Sequence, residues 1–221
     1  MLINLRNALM TGERTPTVKD YVQDGLIAMW DGLEGNFTDL FGHESTETDI
    51  VRVTGGIYCT SSAATISLPS FSYGENGSFS AFVVYSGFPI QSRRDLLSSV
   101  ANRRGFTLFN TNNAAGMRFE CYQETSTEIG NSSLVYGEAL PSSGTMGCCV
   151  DDRAVSATKT LALDDSIVGT QYISKFAFNN ALVIRPLRYC TIHNIRLYSR
   201  ALTADEIAAN YAIDKARFGL P

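Results

Sequence analysis

The sequence predicts a mostly β protein. Short runs in which apolar and polar residues alternate are separated by clusters of Gly, Asn, Asp and Ser, the pattern of a sandwich or barrel rather than of βαβ units. Of the 221 residues, 44% are hydrophobic and 18% charged, enough apolar material for a core and too little charge for disorder. All-β sandwiches commonly run to about 200–250 residues as one unit, so a single domain is expected.

The strands follow in order. Ala64 to Leu68 alternates cleanly, and Ser78 to Ser86 is apolar on both parities, which predicts a central strand covered on both sides. Gly105 to Asn110 and Gly116 to Tyr122 alternate as well, joined as a hairpin by a loop over Thr111 to Ala115. Met117, Phe119 and Cys121 then point inward, while Thr107, Phe109, Arg118, Glu120 and Tyr122 point outward. Further strands are expected at 146–150, 158–163, 181–184 and 189–198.

One helix is clearly signalled. Thr203-Ala-Asp-Glu206 reads as a capping box, Leu202 and Ile207 occupy the staple positions, and Ile207 and Tyr211 lie one turn apart on one face. Gly219 and Pro221 end the run. This helix is expected to clamp the sandwich. Residues 1–24 read as an N-terminal arm, a short helix followed by an extended segment, either meeting a partner or packing loosely on its own domain.

Lys and Arg number 18 against 22 Asp and Glu, a net charge of −4, so no global positive field attracts nucleic acid. No stretch approaches the roughly 20 apolar residues of a membrane span. The opening residues lack a basic n-region and a small-residue cleavage site, so no signal peptide is expected. Cys59, Cys121, Cys148, Cys149 and Cys190 are odd in number and without Cys-x-x-Cys spacing, and are read as reduced core residues suited to synthesis in a reducing cytoplasm. Cys148 and Cys149 are adjacent on a strand and should face opposite ways.

The run Ile192-His-Asn-Ile-Arg-Leu-Tyr-Ser-Arg-Ala-Leu-Thr-Ala-Asp-Glu-Ile207 resembles the closing strand and helix of concanavalin A-like, laminin-G-like jelly rolls. Gly25 to Gly32 is similar to the opening strand of that family, and Gly77 to Val83 to one of its central strands. The resemblance implies a jelly-roll domain over residues 25–221. His193 and Asn194 replace the family's usual acidic pair, Phe82 stands near its usual Trp, and Ala162-Leu-Asp-Asp165 replaces its usual turn. Residues 2–10 and 24–32 also resemble proteins of bacteriophages and prophages of gut Bacteroides-type bacteria. That second resemblance implies a virion component, such as a tail, fibre or capsid-decorating protein, made in the host cytoplasm and contacting other virion proteins or further copies of itself.

The fold also hosts glycan hydrolases, which align paired carboxylates along one strand. No such run occurs: Glu44, Glu47 and Asp49, Asp151 and Asp152, and Asp164 and Asp165 lie in turn-like surroundings. No Gly-x-Ser-x-Gly elbow accompanies His43 or His193, and His193 is expected to satisfy a strand position. Catalysis is therefore not expected. The family resemblance raises calcium, for which Asp31 is the nearest candidate ligand, although an Asp before Gly32 is explained equally by a turn. The expected function is lectin-like recognition of a glycan, cell-surface polysaccharide or protein partner. The candidate binding residues are Phe109, Asn112, Asn113, Arg118, Glu120 and Tyr122, a rigid aromatic and polar face beside an amide-rich loop. Phe109 and Tyr122 could instead pack beneath the other sheet or the arm. A purely structural virion subunit and a degenerate glycoside hydrolase are the alternatives.

Overall fold

The computed structural model describes residues 14–58, 64–68, 77–87, 94–98, 104–110, 116–124, 128–152, 156–177, 182–184 and 190–221. Asn112, Asn113, Cys59 and the first 13 residues of the expected arm lie outside them.

Two antiparallel sheets form a β-sandwich. The first is built from β1 (Leu26–Asp31), β3 (Val51–Val53), β4 (Gly56–Tyr58), β6 (Phe79–Ser86), β11 (Ser143–Asp152), β12 (Ala157–Leu163), β13 (Ser166–Ile173) and β16 (Thr191–Tyr198). Its order is β13-β12-β11-β6-β16-β4-β3, with β1 also beside β16. The second comprises β2 (Thr46–Thr48), β5 (Thr65–Leu68), β7 (Arg94–Ser98), β8 (Phe106–Asn110), β9 (Met117–Glu124), β10 (Ile129–Tyr136), β14 (Lys175–Phe176) and β15 (Leu182–Ile184). Its order is β10-β9-β8-β7-β15-β5-β2, with β14 also beside β9. Arg52 on β3 donates to both carboxylate oxygens of Glu47 on β2 at 2.8 Å, a link between the edges of the two sheets.

The alternation of each strand sets the core. Phe79, Ala81, Val83 and Tyr85 of β6 face the second sheet, while Phe82 and Val84 face outward. Both sets are buried, as expected of a central strand read from two apolar parities. Between the sheets, Phe79 stacks on Phe106 with ring centroids 4.4 Å apart and meets Phe119 edge-on at 6.4 Å. Cys148 joins this inner core and Cys149 the outer one. Gly147 precedes them opposite Phe82, where a Cβ would come within 2.2 Å of the Phe82 ring.

The outer face of the first sheet is covered by helix α1 (Ala204–Phe218). Thr203 Oγ1 accepts from the Glu206 amide at 3.3 Å and Glu206 accepts from the Thr203 amide at 2.9 Å, so the capping box forms as read. Leu202, Ile207, Phe82 and Met29 pack together beneath it. Gly219 closes the helix in the left-handed region at φ 67°, which suits glycine. Residues 14–24 lie against this layer: Tyr21 is 2% exposed, its hydroxyl donates to Asp214 at 2.8 Å, and the Val22 amide donates to Asn210 at 2.9 Å. No helix among the described residues is long and apolar enough to cross a membrane.

Candidate functional site

The outward residues of the β8–β9 hairpin lie on the face of the second sheet away from the core, and β10 extends that face. Cross-strand register aligns Ser98, Thr107, Glu120 and Ser133 in one row across β7, β8, β9 and β10, and Phe109, Arg118 and Val135 in the next. Tyr122 pairs with Asn131 one row further. The Arg118 guanidinium donates to Glu120 Oε1 at 3.2 Å and lies 5.7 Å from the centroid of the Phe109 ring. The Ser98 and Thr107 hydroxyls meet at 3.3 Å.

One part of the expectation changes. Phe109 is 1% exposed, so its ring offers no open face for stacking; it serves as a cation–π base beneath Arg118. Tyr122, Arg118 and Glu120 remain half-exposed at the surface. Asn131 and Ser133 on β10, both exposed, were not foreseen as part of this face. Gly130 and the inward Ser132 blur the apolar half of their alternation, leaving no clear strand signal.

Asp31 takes the turn role. Its Oδ1 accepts from the Leu33 and Glu34 amides at 2.9 and 3.1 Å and from Arg217 at 2.8 Å, and its Oδ2 accepts from Asn194 at 2.8 Å. A calcium ion at Asp31 would have to displace these four donors. Asn194 donates an amide where an acidic residue would have brought a second carboxylate. No cluster of three metal-ligating side chains occurs among the described residues.

His193 has half of a nucleophile–base arrangement. Its Nδ1 donates to the Gly55 carbonyl at 2.7 Å, which leaves Nε2 to accept from the Ser86 hydroxyl at 2.7 Å. A backbone carbonyl occupies the place of the orienting carboxylate, and the ring stacks on Phe218 at 5.3 Å. The histidine thus ties the β3–β4 turn, β6, β16 and the end of α1 together. His43 bonds Asp39 at 2.6 Å on the exposed side of the chain, and Asp39 in turn accepts from the Met29 amide at 2.8 Å.

No protein-family model matches the chain, and no curated protein matches it in sequence. Solved structures do match in fold. The botulinum neurotoxin serotype D binding domain superposes with a TM-score of 0.63 at 13% identity, over 86% of this chain and 51% of that one. The binding domain of botulinum neurotoxin DC in complex with rat synaptotagmin II gives 0.62 at 9% identity, over 87% and 52%. A structure of botulinum neurotoxin type C, whose cell entry depends on interaction with two ganglioside molecules, gives 0.58 at 9% identity, over 86% and 51%. The chain spans about half the length of these structures, and at such identities what it shares with them is the fold, a β-sandwich found in binding domains.

Proposed function

We propose that this chain is a non-catalytic recognition module, a concanavalin A-like jelly roll carried on a phage virion, that binds a glycan or cell-surface polysaccharide through the outer face of its second sheet. The carrying observation is the cross-strand array of Glu120, Ser133, Arg118, Tyr122 and Asn131, which sets hydroxyl, carboxylate, guanidinium and amide groups on one rigid surface. Such a surface suits a polyhydroxylated ligand, because each sugar hydroxyl both donates and accepts. Fold neighbours, one in complex with rat synaptotagmin II and one from a toxin whose cell entry depends on interaction with two ganglioside molecules, support a binding role.

The test is a glycan array on the whole protein and on Arg118→Ala, Glu120→Ala and Tyr122→Ala variants. The wild type is expected to retain a defined set of glycans and each variant to lose them with an unchanged melting temperature. An array on which the wild type binds nothing overturns the reading and leaves a structural virion subunit in its place.

A further inference from the structure

The outer face of the first sheet carries a cavity of 630 Å³ where β11, β12, the end of β16 and the first turn of α1 meet. Its floor is Cys149, 2% exposed, which pairs across the ladder with Thr160. Beside this pair, Asp151 on β11 stands opposite Thr158 on β12, and both line the cavity. Thr158 is in turn directly opposite Tyr172 on β13. Directly paired residues of an antiparallel ladder project on the same face, about 5 Å apart. Asp151, Thr158 and Tyr172 therefore form one row that leads from the cavity to its rim. Tyr172 is 81% exposed, so its ring has an open face.

The opposite wall is held by Arg200. Its guanidinium donates to the two Glu206 carboxylate oxygens at 2.8 and 2.6 Å and pairs with Asp24 at 2.7 Å. These contacts fix its position at the edge of the cavity. Neither the Thr158 nor the Thr160 hydroxyl finds a hydrogen-bond partner among the described residues, so both are available to a ligand.

The lining selects by chemistry. An apolar ligand would desolvate two hydroxyls and a carboxylate without replacing their hydrogen bonds. An anion would meet the carboxylates of Asp151 and Asp152, while Arg200 is already paired with Glu206 and Asp24. A neutral polyol suits this lining: its hydroxyls donate to a carboxylate, exchange bonds with threonines, and leave an apolar ring face for an aromatic side chain. We infer that this cavity is a saccharide-binding site, with Tyr172 stacking on a sugar ring and Asp151 and Thr158 taking its hydroxyls. It lies on the layer opposite the Arg118 and Glu120 face and stands independently of it.

The chain contains one tryptophan, Trp30, which is fully buried. A Tyr172→Trp variant therefore places a solvent-exposed fluorophore at the cavity rim. The probes are glucose, galactose, mannose, N-acetylglucosamine and their β-linked disaccharides. At least one is expected to shift the emission of the Tyr172→Trp protein saturably. Adding Thr158→Val to that variant should weaken the response tenfold or more, and Arg118→Ala should leave it unchanged. By saturation-transfer NMR, the same sugar should bind the wild type and be lost in Tyr172→Ala, whose exposed position leaves the melting temperature unaltered. The inference is overturned if no probe in the panel responds, or if binding survives both Tyr172→Ala and Thr158→Val.

Discussion

Arg196 on β16 and Asp214 on α1 form a bidentate ion pair in which neither side chain is exposed. The same carboxylate accepts from Tyr21 at 2.8 Å and from Thr145 at 2.9 Å, and the Arg196 guanidinium lies 4.2 Å from the centroid of the Tyr21 ring. One helical carboxylate thus joins the first sheet, the helix and residues 14–24. Burying two charges is unfavourable unless the geometry satisfies them, and here four donor groups converge on two oxygens.

Removal of one partner is predicted to be severe. Asp214→Ala leaves the Arg196 charge buried without its counter-ion and should cost about 3–5 kcal/mol. The double change Arg196→Met with Asp214→Leu removes both charges and should cost less than Asp214→Ala alone. Urea denaturation of the three proteins measures the order; an Asp214→Ala protein as stable as wild type would show that the pair is dispensable.

The helix cap makes a smaller contribution. Thr203→Ala should cost about 1 kcal/mol by leaving the Glu206 amide without its acceptor. Truncation before Leu202 should cost far more. It uncovers Phe82 and Met29 and removes Ile207, whose burial alone is worth roughly 1.5–3 kcal/mol. Melting temperatures of the two proteins separate the contributions.

The strands that were legible are those whose two faces differ plainly in polarity or are both apolar. β6, β8, β9, β12 and β16 overlap the expected runs Ser78 to Ser86, Gly105 to Asn110, Gly116 to Tyr122, Thr158 to Leu163 and Tyr189 to Tyr198. β10 and β13 carry no such signal. Both are edge strands, and both place polar or glycine residues toward the interior: Ser132 meets Lys159, and Gly169 packs at Leu134. The candidate surfaces were partly legible for the same reason. Arg118, Glu120 and Tyr122 share one strand and could be grouped by spacing. Tyr172 and Asp151 meet only through the pairing of three strands, which no local pattern announces. The burial of Phe109 depends on its neighbours in space, and the alternation gave only its side of the sheet.

His193 should make stability depend on pH. Burial holds its imidazole below the usual value and outweighs the Gly55 carbonyl, which acts to raise it, while the Ser86 hydroxyl donates to the neutral Nε2. As pH falls below about 6.5, the unfolded chain takes up the proton first, so stability decreases from there down to the lower folded value. The slope from this group should not exceed about 1.4 kcal/mol per pH unit, the limit for one proton. His193→Gln should flatten the stability profile over that window. An identical profile in wild type and variant would assign the acid sensitivity to other groups.

Lys159 carries the last prediction, because it is an ammonium group in the interior of a sandwich. Its side chain lies on the core side of β12 at 0% exposure, where Nζ donates to Ser132 Oγ at 2.9 Å and sits 5.8 Å from the Phe119 ring centroid. One hydroxyl and one ring face replace the hydration of a charge incompletely, and burial accordingly pushes the Lys159 pKa down. The unfolded chain holds the proton up to about 10.4, so folding competes with protonation below that value and stability rises with pH as the folded group deprotonates. Buried Cys121, pushed up to about 11 mainly by burial, acts with the opposite sign, since its neutral form is favoured by folding. Lys159→Met, which fills the same space without the charge, should be as stable as wild type or more so at pH 7, with the difference narrowing as pH rises through the folded value of Lys159. Ser132→Ala should instead destabilise by about 1–3 kcal/mol, because it removes the acceptor and leaves the ammonium in place. A Lys159→Met protein markedly less stable than wild type would show that the ammonium contributes favourably to the fold.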